Sequence, residues 1–299
     1  MRITNGMIQR RVLADMNASS ARMIETQGKI ASGKELSKPS DDPFAAARSL
    51  SLRETMGGIQ QYQRNVSDGQ GWQDAAESAL ARITDSVQRA RELLVQGASD
   101  TVDPAARLAI AREVDELIAG IKENANSRYG GQYVFSGTDV DRPAYTPATG
   151  DAYQGNGGMV AREVGPGVSL GINQVATDFL GAGQTSGDNK LLHVMRDISD
   201  HLKANDGASL RGVDLQRMES ALDAVIDVRA VNGARTNRLE AAESRLGELE
   251  QSTLTHLSDV EDVDIARALI DFNSQQAGYQ AALRAGANIV QSSLMDFLR

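Results

Sequence analysis

The last stretch of the chain, Asp264 to Arg299, carries the clearest pattern of apolar and polar positions. Leu269, Gln276, Leu283, Val290 and Phe297 fall seven apart, and so do Ala266, Asn273, Gln280, Ala287 and Leu294. The two sets interleave at three- and four-residue spacing, which predicts one stripe along a continuous helix. Asn273, Gln276 and Gln280 soften that stripe, and Gly278 and Gly286 each cost about 0.5–1 kcal/mol relative to Ala. A helix of this kind is marginal alone and becomes ordered when others pack around it. The periodicity by itself fits an ordinary bundle helix equally well.

The opening of the chain mirrors its end. Met16, Met23 and Ile30 are seven apart, and Ile8 and Val12 extend their stripe upstream at four-residue steps. Two amphipathic helical ends enclosing a less regular middle suggest that the termini pair with each other. The expected assembly contact sets Ile8, Val12, Met16, Met23 and Ile30 against Leu269, Gln276, Leu283, Val290, Leu294 and Phe297.

Between the ends, Gly33, Pro39 and Pro43 interrupt the helix, and Asp42 before Pro43 reads as a cap followed by a first helical residue. A helix is expected from there to about Asn65. Trp72, Ala76, Ala79, Ile83, Val87, Ala90 and Leu94 form the seam of another, ending near Gly97. Asp103-Pro104 starts a third, with Leu108, Ala111, Val114, Leu117 or Ile118, Ile121 and Ala125 inward. From Gly130 to about Gly187 the chain is rich in glycine, with strand-like pieces at 132–136, 160–164 and 168–172 separated by turns. A helical piece, 190–203, leads to a long helix over about 213–257, whose inner side carries Met218, Leu222, Val225, Leu239, Ala242, Leu246, Leu249 and Thr253.

The predicted fold is mainly α: an elongated antiparallel helical bundle or coiled coil formed by N- and C-terminal segments, with a small β-rich insertion. Five regions follow: an N-terminal arm (1–40), N-side bundle helices (41–129), a β-rich outer domain (130–205), a C-side long helix (206–258) and a C-terminal arm (259–299). Removing Gly150–Gly171 from this insertion, which should face outwards, is expected to spare export and ring formation.

Composition narrows the function. Aromatics make up only 4% of the chain, so the helices are expected to pack through Ala, Leu, Ile and Val. A net charge of −9 argues against a general nucleic-acid partner. The absence of cysteine removes thiolate catalysis, disulfides and Cys-ligated metal. No run is long enough to span a bilayer, and Met1–Met7 lacks the apolar core of a cleaved secretory signal. Gly165-x-Gly167-x-x-x-Gly171 misses dinucleotide-loop spacing by one, and no Walker loop or nucleophile elbow is present. His193 and His201 stand eight apart and read as surface residues. Asp259, Glu261, Asp262 and Asp264 lack the central glycine of a calcium loop and read as helix-start caps. No catalytic, cofactor-binding or metal-binding residues are predicted, and the chain is not expected to be an enzyme.

Several segments carry a family resemblance. Ser32-Gly33-Lys34, followed by Pro39-Ser40-Asp41-Asp42-Pro43 and an Ala-rich helix, resembles the N-terminal signature of the flagellin superfamily. Asp42 to Ala47, Tyr133-Val134-Phe135-Ser136-Gly137, Tyr153-Gln154-Gly155, and Asn273 to Leu283 with Ser293 to Leu298 are similar to the hook–filament junction branch of that superfamily. Val231 to Glu240 is similar to the shared C-side core helix, with Asn232 in place of the commoner Val. The β-rich insertion matches in two short places only.

The resemblance implies a structural protein of the bacterial flagellum that forms an adaptor ring between hook and filament. It implies a homo-oligomer touching a neighbouring hook-associated protein and flagellin. It also implies export through the flagellar type III apparatus without a cleaved signal peptide, with a chaperone acting on the C-terminal helix, and an extracellular location. Neither nucleic acid nor membrane is an expected partner. The alternatives are a bulk flagellin filament subunit and a cytosolic coiled-coil chaperone or regulator.

Overall fold

The computed structural model describes the backbone of residues 5–146, 150–183 and 187–297, and side chains at 7, 10–146, 150–183 and 187–287. The chain divides into two compact units, one of residues 1–58 with 249–299 and one of residues 59–248. Two helices, α2 (Pro43–Gly97) and α6 (Leu215–Glu261), run through both in sequence. Among the described residues the fold is mainly helical, with two antiparallel sheets of two strands each.

The unit of the chain ends holds α1 (Asn5–Ser32), the first turns of α2, the last turns of α6, and α7 (Ile265–Phe297). α1 and α7 lie alongside each other. At the start of α2, Asp42 caps the helix as its sequence predicts: its Oδ1 accepts the N–H groups of Phe44 and Ala45, both at 3.0 Å.

The second unit holds the main core. The seam read from the sequence, Trp72 through Leu94, is buried residue for residue. The helix carrying it begins at Pro43, so the break expected between Asn65 and Trp72 does not occur. Gly69 and Gly71 mark close approach within the helix. A Cβ on Gly71 would collide with the hydroxyl end of Tyr129, 2.6 Å from its Cζ, and one on Gly69 would lie 3.2 Å from Leu239 Cδ2. Tyr129 in turn meets Trp72 edge-on, with ring centroids 6.3 Å apart.

In α3 (Pro104–Ala125) the inward residues are Ile110, Ala111, Val114, Ile118, Ile121 and Ala125. Ile118 is buried where Leu117 was the alternative, and Leu108 faces out because Ile110 takes the inner position in that turn. Leu249 of α6 is likewise exposed. Met218, Val225, Leu239, Ala242, Leu246 and Thr253 are buried.

The Gly-rich stretch forms β1 (Arg128–Tyr129) with β2 (Gln132–Tyr133), and β3 (Ala161–Gly165) with β4 (Val168–Gly171). The second pair is an antiparallel hairpin closed by Gly165-Pro166-Gly167, in which Gly167 has φ +68°. This stretch is not an independent decoration. Phe135, Tyr145, Ile172, Phe179 and Leu180 join the main core, and Val164 and Leu170 pack with Ile59, Val66, Leu239 and Leu246. Removing residues 150–171 would take Val164 and Leu170 from the second cluster and Tyr153 and Val160 from the edge of the main one.

Charges also tie the stretch down. Asp151 receives Lys122 Nζ at 3.1 Å and Arg196 Nε at 2.7 Å, with Asp151 and Lys122 both almost fully buried. Arg196, on α4 (Leu191–Lys203), also reaches Asp115 Oδ1 of α3 at 3.1 Å, and a single short turn, α5 (Gly207–Ser209), precedes α6. Burial raises the Asp151 carboxyl, but its hydrogen bonds from Arg196 and Lys122 outweigh this and hold it below the usual carboxylate range.

Candidate assembly surface

The terminal helices are built to need neighbours. On α1, Val12, Met16, Ser19, Met23, Thr26 and Ile30 are half-buried, at alternating steps of four and three. On α7, Ala268, Phe272, Gln275, Tyr279, Ala282 and Gly286 repeat those steps and are buried or half-buried. The two stripes form an antiparallel coiled-coil seam. Near one end a Cβ on Gly286 would lie 3.3 Å from Val12 Cγ1, and further along Thr26 Oγ1 donates to Gln275 Oε1 at 3.1 Å. Half of the seam is small or polar. Two helices alone cannot close over the larger side chains, so Val12, Met16, Met23 and Ile30 stay partly wet.

The residues predicted from the sequence are distributed as follows. Val12, Met16, Met23 and Ile30 lie on the α1 side of the seam. Leu269, Gln276 and Leu283 do not face α1. They lie about a quarter turn around α7 from the seam, at 100° per residue, with Leu269 44% and Leu283 42% exposed. Strict seven-residue spacing selected them, whereas the helix pair uses the set beginning at Ala268. Ile265, 54% exposed, extends their stripe upstream. Ile265, Leu269 and Leu283 therefore leave an apolar face on α7 that no described residue covers. Ile8, Val290, Leu294 and Phe297 lie outside the described side chains.

Where the two chain ends meet α2 and α6, an ion cluster closes the joint. The Glu261 side chain is 5% exposed. Arg53 grips its carboxylate with Nε and Nη2, both at 2.7 Å, and Lys34 Nζ and Ser49 Oγ complete its shell. Backbone bonds reinforce the contact: Glu35 N–H donates to Glu261 O at 2.7 Å, and Val263 N–H donates to Gly33 O at 3.0 Å. Gly33 has φ +70°, which suits glycine. The Arg53 hydrogen bonds, aided by those of Lys34 and Ser49, overcome burial and hold the Glu261 carboxyl far below the usual carboxylate range.

Reading the acid cluster as helix-start caps holds for Asp264, whose Oδ1 accepts Arg267 N–H at 3.1 Å. It fails for Glu261, which ends α6. The usable signal was a charge in phase with an apolar stripe. Ser49, Arg53 and Met56 share one face of α2 at i, i+4 and i+7, and Glu261 continues the face of Leu246 and Thr253.

His193 and His201 are not free surface groups. His201 Nδ1 lies 2.6 Å from Asp214 Oδ2, and His193 Nε2 lies 3.5 Å from Asp197 Oδ2. Among the described residues no three His, Cys, Asp or Glu gather as a metal site would require, and no helix is long and apolar enough to cross a membrane.

Comparison with known proteins agrees with this architecture. Residues 3–139 match the bacterial flagellin N-terminal helical region, and residues 215–298 match the C-terminal helical region. Flagellar hook-associated protein 3 of Salmonella typhimurium is 23% identical over 318 residues, covering 100% of both chains. Flagellin of Bacillus subtilis is 27% identical over 309 residues, again covering 100% of both. The flagellar junction protein FlgL of Legionella pneumophila has the same fold, with a TM-score of 0.57 and 14% identity over 72% of this chain and 99% of that one. Carrying both terminal helical regions in their proper order, with the α1–α7 pairing they form, the chain belongs to the flagellin family of flagellar structural proteins.

Proposed function

We propose that this protein is the adaptor between hook and filament, a structural ring component of the bacterial flagellum rather than an enzyme. The observation that carries the reading is the α1–α7 pair. Its seam is half polar or small, and Ile265, Leu269 and Leu283 stand outside it. Such a pair gains its burial from neighbouring subunits, so the contacts that complete the helices are the contacts that build the ring. The similarity to hook-associated protein 3 over the whole length places the chain beside proteins of that role.

In this account the partners are further copies of the chain, a hook-associated protein on one side and flagellin on the other. The chain reaches the flagellum through the type III export apparatus with its N-terminus uncleaved. A chaperone covers the outward face of α7 beforehand. The weak seam suits this route, since a helix pair of low stability is easily separated for threading.

The test is a strain carrying Leu283→Asp. Leu283 is already exposed in the monomer, so the purified variant stays soluble and folded but does not join the junction, and cells shed their filaments. Normal filaments on that strain would overturn the reading. The full-length similarity to Bacillus subtilis flagellin supports a second role, as bulk filament subunit. The amount in sheared flagella separates the two: a trace band for the adaptor, the dominant band for a filament protein.

A further inference from the structure

We propose that copies of this chain dock on one another through Phe44, which enters a groove on the next copy formed by the 34–53 segment. Phe44 is 80% exposed, the most exposed of the large apolar side chains described here, in a chain where only 4% of residues are aromatic. A ring left this far in water gains burial wherever a fitting recess exists.

Such a recess lies beside it. A groove of about 550 Å³ opens on the unit of the chain ends, with Leu36, Pro39, Pro43, Ala46, Ala47 and Leu50 as its apolar lining. Leu50 is itself 69% exposed. The volume admits a phenyl ring with its neighbouring turn. Phe44 projects from an adjacent face of the same helix, about 100° from Pro43 around the axis, so it cannot fill its own groove. Another copy can.

The charges select that occupant. Lys34, Lys38 and Arg53 line the groove, with Glu261 as the only acid among its described lining residues. Glu261 is saturated by Lys34, Arg53 and Ser49, and Lys38 makes no ion pair among the described residues. Phe44 is preceded by Asp41 and Asp42, both exposed. Each uses one carboxylate oxygen on its own backbone, Asp41 Oδ2 on Lys38 N–H and Asp42 Oδ1 on Phe44 N–H and Ala45 N–H. Their remaining oxygens face solvent and are free to meet the next copy's Lys38. An apolar knob flanked by acids thus matches an apolar groove with a cationic rim, on a chain whose net charge of −9 otherwise opposes self-contact. Knob and groove are different patches, so a head-to-tail arrangement of copies generates a ring if the rotation closes.

This inference rests on the reading that the chain assembles with itself, and the experiment separates the two. Phe44→p-benzoylphenylalanine is introduced into the full chain. It is then irradiated in purified protein over a range of concentrations and in flagella isolated from the producing strain. The expected adduct joins two copies, with the cross-linked peptide inside residues 34–53 of the acceptor. Leu50→Asp or Lys38→Glu in the acceptor lowers its yield about tenfold, equivalent to about 1.4 kcal/mol, while Lys38→Arg retains it. No adduct between copies in either preparation, an adduct mapped elsewhere on the chain, or capture of a different flagellar protein alone overturns the proposal. If the 44-to-groove adduct forms while filaments remain normal in the Leu283→Asp strain, self-docking stands and the junction role falls.

Discussion

Removing the Glu261 carboxylate tests the joint where the chain ends meet α2 and α6. Glu261→Ala takes one buried anion away from Arg53, Lys34 and Ser49. Breaking a fully buried ion pair costs about 3–5 kcal/mol. Here the cations keep much of their water, with Arg53 55% and Lys34 43% exposed, so they recover hydration once released. The expected loss is therefore about 2 kcal/mol, near that of one charged hydrogen bond. A double-mutant cycle with Arg53→Ala isolates the pair, with an expected coupling of about 1–2 kcal/mol.

The pH dependence follows from the same geometry. A carboxyl depressed in the folded state contributes stability that is fully present above its unfolded pKa. That contribution is lost as pH falls through the folded value. Starting from an ordinary value of 4.5, the Glu261 contribution is flat through neutral pH and declines progressively once pH falls below about 5. The assay is chemical denaturation with hydrogen exchange across residues 33–53 and 259–265. A loss below about 0.5 kcal/mol, or protection lost equally throughout the chain, would refute the reasoning.

Asp151→Asn strips the partner from buried Lys122 and should cost about 3 kcal/mol, measured by denaturation. The depressed Asp151 carboxyl means the wild-type advantage is present at neutral pH and shrinks in acid. Gly71→Ala should destabilise by about 1–3 kcal/mol because the new Cβ meets the Tyr129 ring. Gly57→Ala, with open space around it, should stabilise by about 0.5–1 kcal/mol, and thermal melting compares the two. Gly278→Ala, also open, should slow exchange in α7 by a similar free energy without blocking the α1 seam.

What the sequence made legible was periodic. The Trp72–Leu94 seam, the long C-side helix and the pairing of the two ends all rest on stripes of three and four, and the structure has each. Phase was harder. Seven-residue counting chose Leu269 and Leu283, while the seam runs through Ala268, Phe272 and Gln275. The two sets differ by one residue, and small and polar seam positions hide the true phase.

The continuity of α2 between Asn65 and Trp72 was not legible, and the residues that demand Gly69 and Gly71, Leu239 and Tyr129, come from remote parts of the chain. The Glu261 cluster joins residues more than two hundred positions apart, and local composition offered only capping as a reading. The same distance effect concealed how firmly Asp151, Val164 and Leu170 bind the Gly-rich stretch to the helices.

The central claim is that α1 and α7 gain their stability from neighbouring subunits. Hydrogen exchange of residues 10–30 and 266–287, in the purified chain and in isolated flagella, measures this directly. The account predicts fast exchange in the free chain, far above that of the Trp72–Leu94 seam, and strong slowing on assembly. Equal protection in both states, matching the α2 seam, would show a helix pair complete by itself and contradict the account.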